Sequence, residues 1–203
     1  MLDVLIIGGG VSSVSCALIL GSAHKKPFAQ DKKIAILTHQ KASSLQDAIF
    51  FNAYGIPAGK LGADILLETT QHLHETYPHI QQIEGEKVLK VSPIAEGYEI
   101  VTNHHSYTSK IVVVGIGSSN LFAIEGLMDY VEPHSKSLPE KQRIQLKNTD
   151  HKVAEGLYVC GTLAGHRSQL AIASGSGAAV ATDILVLWNN GIETHSHDSV
   201  RVK

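Results

Sequence analysis

The residues best placed to do chemistry stand near the start of the chain, where Gly8-Gly9-Gly10-Val11-Ser12-Ser13 follows the short apolar run Val4 to Ile7. A glycine at Gly8 permits a sharp turn, and one at Gly10 lets main chain approach a ligand with no Cβ in the way. With a buried strand before it and a helix over Val14 to Leu20 after it, the turn presents unpaired N–H groups and the positive end of a helix dipole to an anion. That is the chemistry of a dinucleotide pyrophosphate site. Ser13 occupies the place of the third glycine in G-x-G-x-x-G, where a small residue facing the strand is required.

Other candidates carry less. Gly55 to Lys60 imitates a phosphate loop, but its glycine spacing is short and Leu61 stands where a Ser or Thr is needed. The twelve histidines include His72 with His74, His104 with His105, and His195 with His197. None has a ligand spacing with a partner carboxylate, so no metal is expected. His166-Arg167 lies in a loop just before an apolar helix, within reach of a ligand held there. Cys16 and Cys160 form no C-x-x-C and read as small buried side chains rather than a redox pair. No G-x-S-x-G occurs, and Ser174 and Ser176 read as packing residues.

These residues need elements to position them. The chain has 203 residues, 43% hydrophobic and 18% charged, which suits one sizeable core. A single domain over residues 1–191 is expected, with a polar, disordered tail over 192–203. The net charge of -2 and scattered basic residues recommend no nucleic acid. The first strand starts almost at Met1, leaving no signal peptide, and no apolar run approaches membrane-spanning length. A cytoplasmic protein with no membrane partner is the expectation.

Lys33 to Leu37 reads as a second buried strand, with Thr38 at the end where nucleotide-binding folds usually carry an acid for the adenosine ribose. Asp31 precedes that strand and cannot substitute. Asn52 to Gly59 is turn-rich, and Gly62 to Tyr77 has the pattern of an amphipathic helix. Val88 to Val91, Tyr98 to Thr102 and Tyr107 to Val114 read as three strands of an antiparallel meander, the last returning to the central sheet and ending in Gly115-Ile116-Gly117. A short helix is expected near Leu121 to Leu127, a buried strand over Gly156 to Cys160 ending at Gly161-Thr162, and a small-residue helix over Leu170 to Trp188.

Taken together these stretches resemble the thioredoxin-reductase-like branch of the FAD-dependent pyridine nucleotide-disulfide oxidoreductases, over nearly the whole chain. Gly8 to Ser13, with Val11 and Ser12, looks like the pyrophosphate loop for FAD. Asn52-Ala53-Tyr54-Gly55-Ile56-Pro57 resembles the family's N-x-x-G-x-P, whose Asn lies near the flavin ring. Val114-Gly115-Ile116-Gly117 looks like the A-T-G strand end, and Gly156 to Thr162 like G-L-Y-A-A-G-D. Ser168-Gln169-Leu170 resembles the helix start whose N–H groups face the flavin's N1 and O2 edge. By the same resemblance Val88 bonds adenine through its backbone. The implied fold is α/β: a Rossmann-like FAD/NAD(P)-binding fold with a parallel central sheet and a small antiparallel β-meander.

The departures are equally informative. Only Ser118 to Val159 lies between the A-T-G-like and G-D-like segments, far too short for the family's NADPH domain. The catalytic C-x-x-C is missing too, which excludes thioredoxin reduction by the family mechanism. Thr38 and Thr162 replace the acids for the ribose and the ribityl chain. The tRNA-modifying uridine flavoenzymes resemble this chain at Leu37-Thr38-His39, where they too lack that acid. The resemblance implies a minimal FAD-dependent oxidoreductase taking electrons from a small molecule or a redox partner protein, and a homodimer. A non-catalytic module that keeps the flavin fold is the alternative, and NAD in the same pocket is a third reading.

Overall fold

The computed structural model describes residues 1–38 and 45–197, so His39 and residues 198–203 of the expected tail lie outside the described residues. In chain order the elements are β1 (Leu2–Ile7), α1 (Val11–Ser22), β2 (Ile34–Thr38), β3 (Ile49–Phe50), β4 (Lys60–Leu61) and α2 (Gly62–Thr76). Then come β5 (Gln81–Glu84), β6 (Val88–Ile94), β7 (Gly97–Thr102), β8 (Ser106–Val114), β9 (Val131–Pro133) and β10 (Ile144–Leu146). The chain closes with β11 (Lys152–Ala154), β12 (Leu157–Val159) and α3 (Leu170–Trp188).

The fold is α/β, with a largely parallel central sheet ordered β11-β12-β8-β1-β2-β5. β12, β8, β1, β2 and β5 all run parallel, so their C-terminal ends share one edge. The second half of β8 joins this sheet, while its first half pairs antiparallel with β7, which pairs with β6. That is the expected meander. The continuous apolar runs of β1, β2 and β8 follow from burial on both faces. Val4, Ile6, Ile36 and Val113 face one core with α1 and α3, and Leu5, Leu37, Val112 and Val114 face the other with the meander.

Helices α1 and α3 meet with almost no side chain between them. A Cβ on Gly177 would lie 1.9 Å from the Ser12 carbonyl oxygen. Close by, the Ser15 hydroxyl donates to the Ser174 carbonyl at 2.9 Å. Val180, Ala181, Ile184 and Leu185 continue the contact fully buried.

Several expectations are corrected. α3 is long and apolar enough, at 19 residues, to cross a membrane by length and composition, so a run of that length does exist; here its inner face is a core surface. No helix forms over Leu121 to Leu127: Phe122, Ile124 and Leu127 are buried from turns, and Gly126 at φ 84 packs where a Cβ would meet the Val91 oxygen at 2.0 Å. β5 escaped notice because only Ile83 in it is buried. The β9–β10 hairpin and β11 were likewise unmarked, since such short strands show no alternation long enough to read. The expected loose tail is held at one point, where Ser196 is buried and accepts a hydrogen bond from the Ser22 hydroxyl at 2.8 Å.

Gly177→Val should cost about 1–3 kcal/mol through overpacking at the α1–α3 crossing, read as a lower urea midpoint with an unchanged slope.

Candidate functional site

The turn after β1 is held by main chain and by one serine. Gly8 donates to the Leu37 oxygen at 2.8 Å, and Gly115 donates to the Ile7 oxygen at 2.8 Å. Gly8 has φ 119, and a Cβ there would lie 2.7 Å from the Gly115 oxygen, so both its conformation and its surroundings require glycine. Ser13, fully buried, donates to that same Gly115 oxygen at 2.8 Å. A Cβ on Gly115 would in turn meet the Ser13 hydroxyl at 2.1 Å. Serine therefore fits the third-glycine position because residue 115 has no side chain. Gly10, the N-cap of α1, has extended backbone at φ -81, and a Cβ there would meet nothing within 4 Å. The space above it is open.

The second half of the site follows β12. Gly161 has φ 72, and its missing Cβ would lie 2.6 Å from the Ser12 hydroxyl, so Gly161-Thr162 stands against the first turn of α1. A short 3-10 turn, Gly161–Ala164, and the loop through Arg167 and Ser168 lead to Gln169, the N-cap of α3. Both α1 and α3 thus start at the C-terminal edge of the sheet. β8 lies between β1 and β12, which separates their ends by about 10 Å. Neither helix has a side-chain cap hydrogen bond or an acidic residue in its first turn. Their free N–H groups and positive dipole ends are left for a ligand.

Thr38 ends β2 in register with Glu84 of β5, and Gly85 donates to the Thr38 oxygen at 2.9 Å. Val88 is buried two residues beyond Glu86, which is itself only 6% exposed. Glu86 accepts hydrogen bonds from Thr102 at 2.5 Å, from His105 at 2.7 Å and from Tyr107 at 2.9 Å. The Thr102 hydroxyl, helped by Tyr107 and His105, holds this carboxyl below the usual range against the opposing effect of burial. Burial, with the carboxylate behind it, pushes Tyr107 up to about 12. Asn52 and Tyr54 are exposed in the β3–β4 hairpin, apart from the central sheet, and Gly117 faces open space. A cavity of about 650 Å³ lies at the opposite edge of the sheet, beside Asp3, Tyr98, Lys110 and Trp188.

Solved structures share this architecture at low sequence identity. A thioredoxin reductase from Gloeobacter violaceus superposes with a TM-score of 0.71 at 13% identity, covering 98% of each chain. A ferredoxin-flavin thioredoxin reductase from Clostridium acetobutylicum gives 0.67 at 14% identity, covering 93% of this chain and 98% of that one. The GidA-related protein from Thermus thermophilus gives 0.66 at 15% identity, covering 91% and 98%. This chain has the thioredoxin-reductase fold. No family model matches the chain, and no curated protein matches it in sequence.

On the thioredoxin-reductase fold this chain carries a histidine cluster that its sequence does not announce. The Ser176 hydroxyl accepts the Gly161 N–H at 2.8 Å and lies 3.0 Å from His151 Nε2. His151 Nε2 lies 3.0 Å from His166 Nε2. Asp150 and His151 have φ 46 and 70, a left-handed backbone that the Asn148 side chain supports by accepting the His151 N–H at 3.1 Å. His134 is fixed in one tautomer: its Nδ1 accepts from Lys136 N–H at 3.1 Å, so its Nε2 donates to the His166 carbonyl at 3.2 Å. Ser176 therefore does more than pack. His151 and Ser176 were missed because residues 151, 166 and 176 meet only through the tertiary fold. Cys16 and Cys160 are both fully buried, and burial pushes both thiols up, Cys160 to about 12.

The depressed Glu86 carboxyl has a definite sign. It contributes stability above the unfolded carboxylate pKa, about 4.3, and that contribution is lost as pH falls through the lower folded value. Urea midpoints between pH 7 and about 3 should therefore fall more steeply in the wild type than in Glu86→Gln.

Proposed function

We propose that the protein binds FAD and works as a flavin oxidoreductase. The observation that carries this reading is the pair of uncapped helix N-termini at one sheet edge, with Gly161-Thr162 pressed against the first turn of α1. Gly8, Gly10, Val11, Ser12 and Ser13 would hold the pyrophosphate, and Gly115, Gly117, Gly161 and Thr162 would flank the chain that leads from it. Ser168, Gln169 and Leu170 would meet the ring, with Asn52 reaching it from the hairpin. Thr38 and backbone of Val88 would serve the adenosine end. The protein of this fold from Clostridium acetobutylicum bears flavin in its name, which supports the cofactor assignment.

The groups present suit that ligand. Main-chain N–H donors and glycines do not depend on the two missing acids, and the open space over Gly10 admits a phosphate. Thr38 and Thr162 each offer a neutral hydrogen bond where a carboxylate would add about 1.5–3 kcal/mol. When bound, the flavin supplies two-electron chemistry, while the chain supplies position and dipoles. Ser118 to Val153 forms turns and the β9–β10 hairpin in place of a nicotinamide domain, and the buried cysteines are no external dithiol. Electrons would therefore arrive from a small reductant or a redox partner protein at the open side of the ring.

Purified protein should be yellow and release FAD on denaturation. Gly10→Val should abolish FAD uptake while leaving the thermal midpoint within a degree or two, because that Cβ meets no protein atom. Thr162→Asp should tighten FAD about tenfold in a fluorescence titration. A wild-type protein that stays colourless with added FAD would sink the reading and favour a non-catalytic module.

A further inference from the structure

The histidine cluster beside α3 is not explained by cofactor binding. It converges on one atom: the Ser176 hydroxyl, which accepts the Gly161 N–H at 2.8 Å, and His166 Nε2 each lie 3.0 Å from His151 Nε2. Two imidazole nitrogens this close require one proton between them, since two N–H groups would repel and two lone pairs would leave both unsatisfied. The Gly161 N–H occupies one lone pair of Ser176, and His151 Nε2, with one proton or one lone pair, engages Ser176 or His166 at any moment. His134 pins the His166 carbonyl, and the left-handed backbone at Asp150-His151 sets the second ring.

We propose that His151 and His166 act as one acid–base unit, holding a proton beside the N-terminus of α3 for the two-electron chemistry carried out there. The proposal rests on the FAD reading above. The charged groups facing the pair are Asp150 near His151, and Lys136 and His134 near His166. Burial disfavours the cationic form of both rings, and at His166 the neighbouring His151, Lys136 and His134 act in the same direction. The pair therefore takes up a proton when negative charge builds beside it and yields it when that charge leaves.

The first experiment follows the histidine rings by NMR through a pH titration of the apo-protein. His151 and His166 should titrate together in two steps separated by more than about one pH unit. His166→Gln, which keeps a hydrogen-bonding group, should reduce His151 to a single step. Independent single steps in the wild type would overturn the proposal. The second experiment adds FAD and reduces it electrochemically just above the first step, so that no chemical reductant releases protons of its own. Each two electrons should draw two protons from solvent in the wild type, one to the ring and one to the histidine pair, but one in His151→Gln or His166→Gln. Equal proton uptake in all three would overturn the proposal even with FAD bound. A protein that takes up no FAD defeats the cofactor reading instead, and the apo-protein titration still decides whether the rings share a proton.

Discussion

Backbone must touch backbone at the start of α1, and the site depends on that contact. Ser12 lies under Gly177 and beside Gly161, while Ser13 reaches the Gly115 oxygen. Three glycines from three distant segments meet two consecutive serines. The absence of side chains lets α3 cross α1 closely, and that crossing places both helix starts at the same edge of the sheet. Packing at protein-interior density leaves no slack for even one methyl group there. The dipoles and N–H groups offered to an anion follow from this contact.

The same knot explains how the chain tolerates substitutions at positions that usually carry other residues. Serine stands at the third-glycine position because Gly115 makes room for its hydroxyl, which replaces a van der Waals contact with a buried hydrogen bond to main chain. Carboxylates are absent at Thr38 and Thr162, while Glu86, two residues past the end of β5, is buried and bonded to Thr102, His105 and Tyr107. Glu86 ties the β5–β6 connection to the meander.

The segment between β8 and β12 makes turns, the β9–β10 hairpin and the edge strand β11. It nevertheless supplies Asn148, Asp150 and His151, which reach back to Ser176 and His166. A stretch without regular structure thus brings the second imidazole to the loop before α3. Its cost is a left-handed backbone at two non-glycine residues, about 1–3 kcal/mol each at most. Aspartate and histidine tolerate that conformation better than bulky or branched residues do.

Much of this protein was legible in sequence because the signals were local. The apolar runs of β1, β2 and β8 and the helical pattern of α2 and α3 each lie within one short window, and the glycines of Gly8 to Ser13 mark the tight turn between β1 and α1. β9, β10 and β11 are not legible, since strands of three residues with at most two buried side chains show no period. The turns at Leu121 to Leu127 were misread because their apolar residues bury themselves without a helix. Tertiary structure alone decided that Gly115 makes room for Ser13, that Gly177 sits on Ser12, and that Ser176 and His166 both meet His151 Nε2. Each of these is a close approach between segments separated in sequence, and no local pattern of residues encodes it.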